Sequence, residues 1–264
     1  MIIAANISNS VISVGFFEDE DCVLSASFEL SCGTEKTSDE YLSVIKSLSA
    51  DKEINFDNIS GAIISSVVPQ VTPKIARAIE RLSMHTPILV GPGVKNGFMI
   101  KIDNPSELGG DMVANSAAVL KMKSKDKGAI IADIGAVSTI SALSKNGEYL
   151  GCVIFPGISL SLDALHVNAA QLPTISLCNS SKAIGKNTQD SIRSGVIIGQ
   201  ALTVDGFLEK FAKEMKVALK DMELFATGEH ASAVLTESKN IFRLDNDLTL
   251  KGLFYIYKNT LKAQ

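Results

Sequence analysis

Ile130-Ile131-Ala132-Asp133-Ile134-Gly135 matches Ile3-Ala4-Ala5-Asn6-Ile7-Ser8 at a constant offset of 127 residues. Each segment is an apolar strand, then Asn or Asp, one apolar residue and a small residue. A small, hydroxyl-rich turn and a second apolar strand follow in both places, over 11–17 and over 140–143. The offset is about half of the 264 residues, which points to two similar domains related by duplication. The alternative at this level is a chance likeness between two strand–turn–strand units.

Outward from these two anchors, periodicity and punctuation predict the remaining elements. In the first half, strands are expected over 2–7, 11–17, 22–28, 59–68 and 87–90. Helices are expected over 38–48, 71–82 and 113–120. The second half continues with a strand over 149–155, helices over 158–172 and 188–212, a strand over 224–227 and a final helix over 250–261. Strands alternating with helices make this an α/β chain.

Composition narrows the function. The chain is 46% hydrophobic and only 20% charged, as an ordered globular protein is. Its net charge of −4 lacks the basic balance of a protein built to bind nucleic acid. No apolar run approaches the roughly 18 residues of a membrane span. The N-terminus has no basic region ahead of its apolar stretch, so it reads as a first strand and not a signal peptide. Cys22, Cys32, Cys152 and Cys178 form no C-x-x-C pair, and His85, His166 and His230 are scattered. Free buried thiols in a cytoplasmic protein are expected, and no structural metal.

A strand–turn–strand hairpin with a carboxylate at its first strand's end can clamp phosphate. Backbone amides and hydroxyls hold the phosphate oxygens, and the carboxylate binds hydrated magnesium. Asp133, Gly135, Ser138 and Thr139 suit this pattern; a hairpin whose Asp and Gly merely shape the turn is the other reading. Asn6, Ser8, Asn9 and Ser10 form the weaker twin, since an amide offers magnesium no charge. Asp111, after Gly109-Gly110, is either a helix cap or a general base for a substrate hydroxyl. Thr188 opens a helix and reads locally as a cap. Gly228, in Thr227-Gly228-Glu229-His230, is either an ordinary strand exit or a turn that admits a nucleotide ring.

Taken in order, these segments resemble the type III pantothenate kinases. The most specific matches are Ser65-Ser66-Val67-Val68-Pro69, the run 91–97, Asp103-Asn104-Pro105, Gly109 with Asp111, and Asp133 with Gly135. Others are Gly147-Glu148-Tyr149-Leu150-Gly151, Pro156-Gly157-Ile158, Gly185-Lys186-Asn187-Thr188, Ala226-Thr227-Gly228 and Asp247-Leu248-Thr249-Leu250. The resemblance implies an actin-like, sugar-kinase-like (ribonuclease H-like) duplicated two-domain fold with mixed sheets flanked by helices. It also implies ATP-dependent phosphorylation of pantothenate to 4'-phosphopantothenate in coenzyme A biosynthesis. A cytoplasmic homodimer, Mg2+ and a monovalent cation (K+ or NH4+) come with it. Under it, Asp111 is the catalytic base, Asp133 holds the metal, and Ser138 and Thr139 are hydroxyls of the second phosphate motif. Thr188 and Gly109 contact pantothenate, and Gly228 belongs to the adenosine motif. By analogy the border falls near 111–119, giving domains 1–115 and 116–264; a return of the last helix to the first domain is left open.

The departures from the family pattern gather at the site. Asn6 stands for its first Asp, Met112 for an Arg, Ile102 for a pocket Tyr, Ala136 for a hydroxyl residue and Glu229 for a second glycine. Met112 loses a bidentate donor for a carboxylate, worth about 1.5–3 kcal/mol, or roughly tenfold to a hundredfold in binding. Three readings follow: a kinase with a weakened site, a catalytically inactive binding or regulatory homologue, and a kinase for another small alcohol. Some members of the family are described as Bvg accessory factor-like regulators, but the acidic balance gives no support for direct DNA contact.

Overall fold

The computed structural model describes residues 1–18, 21–169, 172–173, 175 and 182–262. Two compact units divide the chain. The first holds Met1–Phe98, Asp103–Met122 and Asp247–Gln264; the second holds Met99–Ile102 and Lys123–Asn246.

The first unit opens with an antiparallel meander of β1 (Ile2–Ile7), β2 (Val11–Phe17) and β3 (Leu24–Ser31). Then come α1 (Ser38–Ala50), β4 (Gly61–Ser66), α2 (Thr72–Ser83), β5 (Ile88–Leu89) and α3 (Gly110–Met122). β4 pairs parallel with β1, and β5 with β4, giving the order β3-β2-β1-β4-β5. Alternation along β1 sends Ile3, Ala5 and Ile7 into one core with Phe16, Tyr41, Ile45, Ile75 and Ile79. Each buried Ile or Phe among them contributes about 1.5–3 kcal/mol by leaving water. Asn6 therefore lies on the opposite face. α1 starts where Thr37 and Glu40 close a capping box: Glu40 N donates to Thr37 Oγ1 at 3.3 Å and Thr37 N to Glu40 Oε2 at 2.6 Å.

The second unit repeats the plan. Its strands β6 (Gly128–Ile134), β7 (Val137–Leu143) and β8 (Tyr149–Pro156) form the meander. They are followed by α4 (Ile158–Asn168), α5 (Thr188–Arg193), a π-helical turn at Ser194–Ile198 and α6 (Gly199–Met215). Next come β9 (Met222–Thr227), α7 (Ala231–Leu235) and β10 (Arg243–Leu244). The order β10-β9-β6-β7-β8 is that of the first sheet, with β9 parallel to β6 and β10 to β9. Ile130, Ala132, Ile134 and Ile140 build its core with Ile158, Ile197, Val204 and Leu208. α8 (Leu248–Leu261) belongs to the first unit, where Thr249 Oγ1 donates to Asn115 Oδ1 of α3 at 2.7 Å.

Several boundaries differ from the expectation. β3 runs later than 22–28 because its register on β2 extends to Ser31 opposite Val11. The single helix expected over 188–212 is broken by the π turn, which holds Gly195 and abuts Gly199, both weak helix formers. The helix begun at Ile158 ends at Asn168, and the part expected at 170–171 lies outside the described residues. α7 and β10 are too short to leave a periodic signal. Cys22, Cys32 and Cys152 are thiols, half-buried rather than buried; Cys178 lies outside the described residues. No described helix is long and apolar enough to cross a membrane.

Candidate active site

In both units polar residues interrupt the apolar strands at the carboxyl ends of the parallel pair, where open α/β sheets bind ligands. In the first unit Asn6 stands opposite Ser13 on β2 and Ser65 on β4. In the second, Asp133 stands opposite Thr139 on β7 and Thr227 on β9. Residues directly opposite share a face, so each sheet end carries a row of three polar side chains.

The first row is neutral and under-satisfied. Asn6 Oδ1 and Ser65 Oγ are buried and have no hydrogen-bond partner among the described residues. The neighbouring turn is self-contained: the Ser8 hydroxyl donates to Val11 O at 2.7 Å and accepts from Val11 N at 3.1 Å. Asn9 and Ser10 are exposed at its tip. α3 begins against this end of the sheet, since a Cβ on Gly110 would lie 2.8 Å from Ser65 Oγ. Asp111 is the second residue of that helix and not its cap; Val113 N donates instead to Gly109 O at 3.0 Å. Burial pushes the Asp111 carboxyl above its ordinary range, although the Met112 amide donates to its Oδ1 at 2.8 Å and opposes the rise. Met112 is 9% exposed, so its side chain lies in the helix's packed face. Gly109 is adjacent, and a Cβ there would come within 2.6 Å of Asp111 Oδ1.

The second row carries a charge and a tighter turn. Between the paired residues Ile134 and Ser138 stand three residues, one fewer than between Ile7 and Ile12. Gly228, at φ +104°, packs onto this turn: a Cβ would meet Ile134 N and O at 2.6 Å and Asp133 Oδ1 at 2.7 Å. Gly157 does so from the other side, where a Cβ would stand 2.0 Å from Gly135 O. Thr139 shares the face of Asp133, but Ser138 does not. Ser138 is fully buried on the core face, and its hydroxyl donates to Gln200 Oε1 at 3.4 Å. Gln200 in turn donates to Pro156 O at 2.5 Å, so both brace the hairpin from below. Glu229 is half exposed, its Oε2 3.9 Å from His230 Nε2.

Two sequence candidates belong to neither row. Thr188 is the first residue of α5 and exposed; the cap is Asn187, whose Oδ1 accepts from Asp190 N at 2.9 Å. Ile102 is half-buried in the short Met99–Ile102 segment of the second unit, which bridges to Tyr149 through Ile100. A groove of about 640 Å³ lined by β9, β10 and their flanks contains none of the site residues. Sequence reasoning did not single out Ser13, Ser159 or Gln200 and gave Ser65 and Thr227 no role. Ser65 and Thr227 share a signal, a polar residue at or near the end of an apolar strand, but it becomes readable only once the strand pairings are known. Ser159 and Gln200 lie on helices and leave no such mark.

The model of the type III pantothenate kinase family matches residues 2–210. A type III pantothenate kinase of Halalkalibacterium halodurans is 34% identical over 99% of this chain and 100% of its own length. Among solved structures, a Campylobacter jejuni protein described as a Baf family transcriptional activator superposes with a TM-score of 0.61 at 18% identity, covering 98% of this chain and 99% of its own. The activator of 2-hydroxyisocaproyl-CoA dehydratase from Clostridium difficile, with bound ADPNP, gives 0.54 at 14% identity over 100% of this chain and 96% of its own. These likenesses show the actin-like, sugar-kinase-like fold expected from the motif order. With a family match over most of its length and a relative this similar end to end, the chain belongs to the type III pantothenate kinase family.

Proposed function

We propose that this protein transfers a phosphoryl group from ATP to pantothenate, with Asp111 as the base that accepts the hydroxyl proton. The observation that carries this reading is the Asp111 carboxyl, raised by burial at the start of α3. A carboxylate with an elevated pKa is a stronger base near neutral pH, which is what general-base catalysis asks of it. Gly109 leaves room beside it for the substrate. Under the family pattern, Met112 and Ile102 replace polar side chains with apolar ones, and the exposed Thr188 offers a hydroxyl for pantothenate.

In the second unit, Asp133 and Thr139 offer hard oxygens on one face, with Gly228 packed against Asp133 Oδ1. That donor set fits magnesium, which takes one or two carboxylates and keeps several waters. When bound, Mg2+ neutralises charge on the nucleotide phosphates. The Gly135–Ala136 turn and Thr139 hold those phosphates, and Gly228 admits the adenosine. Ser138 supports this turn from the core. In the first unit Asn6, Ser8, Asn9 and Ser10 form the weaker phosphate motif. A monovalent cation, K+ or NH4+, a cytoplasmic location and a homodimer complete the reading. The two units thus serve as the N-terminal domain with the degenerate motif and the C-terminal domain with the second phosphate and adenosine motifs.

A second reading, a catalytically inactive relative, is favoured by the neutral Asn6 row with its two unpartnered atoms. The test is mass-spectrometric detection of phosphopantothenate from ATP, pantothenate, Mg2+ and K+ or NH4+, with Asp111→Asn as control. Product that vanishes in the control is expected. Folded wild-type protein that makes none transfers the weight to the inactive relative or to another alcohol as substrate.

A further inference from the structure

Three hydrogen bonds converge on the turn after β6. Gly157 N donates to Ala136 O at 2.9 Å, and His230 N donates to Ile134 O at 2.9 Å. These fasten the turn to the start of α4 on one side and to the exit of β9 on the other. The third joins the two fasteners to each other: Ser159 Oγ and His230 Nε2 are 2.9 Å apart, across 71 residues of sequence. The first unit shows what the same turn has without that link. Cys32 N donates to Ser10 O at 2.9 Å and Val67 N to Ile7 O at 3.0 Å, in the same places. Val67, whose amide makes the bond that the His230 amide makes in the second unit, has no side chain able to hydrogen-bond. The cross-link therefore belongs to the half that carries the charged row and the tight turn.

We infer that the Ser159–His230 hydrogen bond is a clamp that holds the turn at 133–137 in the shape required for nucleotide phosphates. His230 is thereby a positioning residue for nucleotide affinity. The inference deepens the kinase reading and rests on it for the identity of the ligand. Such a turn works by presenting backbone amides in fixed directions, so slack in its flanks lowers affinity without removing any contacting group. On the same exit, the half-exposed Glu229 brings its Oε2 to 3.9 Å from His230 Nε2.

The test compares the full-length wild type with His230→Ala, Ser159→Ala, the double variant and His230→Gln, which retains a side chain able to reach Ser159. Amide exchange at residues 135–137 is followed without nucleotide, and the Kd for ADP with Mg2+ is measured by calorimetry. The single alanine variants should exchange faster at those amides and bind ADP roughly tenfold more weakly. The double variant should be no worse than either single, because both remove one bond. His230→Gln should recover part of the affinity. For pantothenate phosphorylation, KM for ATP should rise while kcat at saturation stays within about twofold. Unaltered exchange and Kd in folded variants, or single effects that add, would overturn the clamp. A wild type that binds ADP yet makes no phosphopantothenate removes the kinase reading alone, and the same Kd comparison still decides the clamp. A wild type that binds no ADP overturns both.

Discussion

The two units are built on one set of hydrogen bonds and differ in what they hold. Val90 N to Ile64 O at 2.8 Å in the first is Asp245 N to Ala226 O at 2.9 Å in the second. The same correspondence joins Val67 to His230 and Cys32 to Gly157 as donors onto the hairpin turns. Against this shared frame, Ser13–Asn6–Ser65 is neutral and Thr139–Asp133–Thr227 carries a carboxylate. Among the described residues, the buried side-chain atoms of the rows that lack a partner, Asn6 Oδ1 and Ser65 Oγ, both belong to the first. Fold and chemistry are therefore separable here: strand pairing places three side chains at each sheet end, and their identity alone sets the charge.

Exchanging that identity is the strongest way to break the comparison. Asp133→Asn makes the second row as neutral as the first and should lower phosphopantothenate formation by about 10²–10³-fold, with a weakened response to magnesium. The reverse exchange, Asn6→Asp, should lower stability without magnesium, because it buries a charge, and recover it as magnesium is added. Thermal unfolding against magnesium concentration reads both. Full activity in Asp133→Asn would mean that the charged row is not the metal site.

The strand exits differ next. Gly228 follows Thr227 as Ser66 follows Ser65. Gly228→Ala must place a Cβ 2.6 Å from Ile134 backbone atoms at φ +104°. Strain and overpacking together should cost about 2–6 kcal/mol. Ser66→Ala loses the bonds from Val68 N at 3.1 Å and Thr72 Oγ1 at 2.7 Å, and should cost only about 1–2 kcal/mol. Chemical denaturation of the two variants measures the contrast; equal losses would show that the exits are interchangeable.

Asp111→Asn separates stability from function within the first unit. The folded carboxyl sits above its ordinary pKa, so the unfolded chain loses that proton first as pH rises. The charged group then destabilises the fold, and the penalty is complete once pH exceeds the folded value. Asp111→Asn should accordingly melt higher than the wild type at pH 7, by on the order of a few degrees, and show no advantage at pH 3. The same melting difference at both pH values would mean that burial is not what raises the carboxyl.

Much of this comparison was legible before any strand was paired. The match of Ile130–Gly135 to Ile3–Ser8 marks both first strands, and their alternation already puts Asn6 and Asp133 off the apolar core face. The same period of two separates Ser138 from Thr139, so that grouping both hydroxyls with Asp133 went against a signal present in the sequence. Asn187 rather than Thr188 as a cap was similarly within reach, since Asp190 follows it at capping distance. Other features were out of reach. The one-residue difference between the turns emerges from register. Ser65 joins Asn6 only through a parallel pairing 59 residues away, and Ser159 meets His230 only through the tertiary fold. Local patterns specify faces; which faces meet is decided by packing.

The smallest expected effect tests why the first row keeps its unpartnered atoms. A buried hydroxyl without a partner has lost its bonds to water and gained none, and alanine in its place removes that deficit for a small loss of volume. Ser65 is fully buried and lies against Gly110 at the start of α3. Ser65→Ala should therefore stabilise the ligand-free protein by up to about 1 kcal/mol, seen as a slightly higher Tm. If the row is part of the active site, the same variant should lose nucleotide or substrate affinity, so that its Tm advantage shrinks or reverses when both ligands are added. An advantage that is unchanged by ligands would make Ser65 a packing position, and the first row would then contribute to the fold and not to binding.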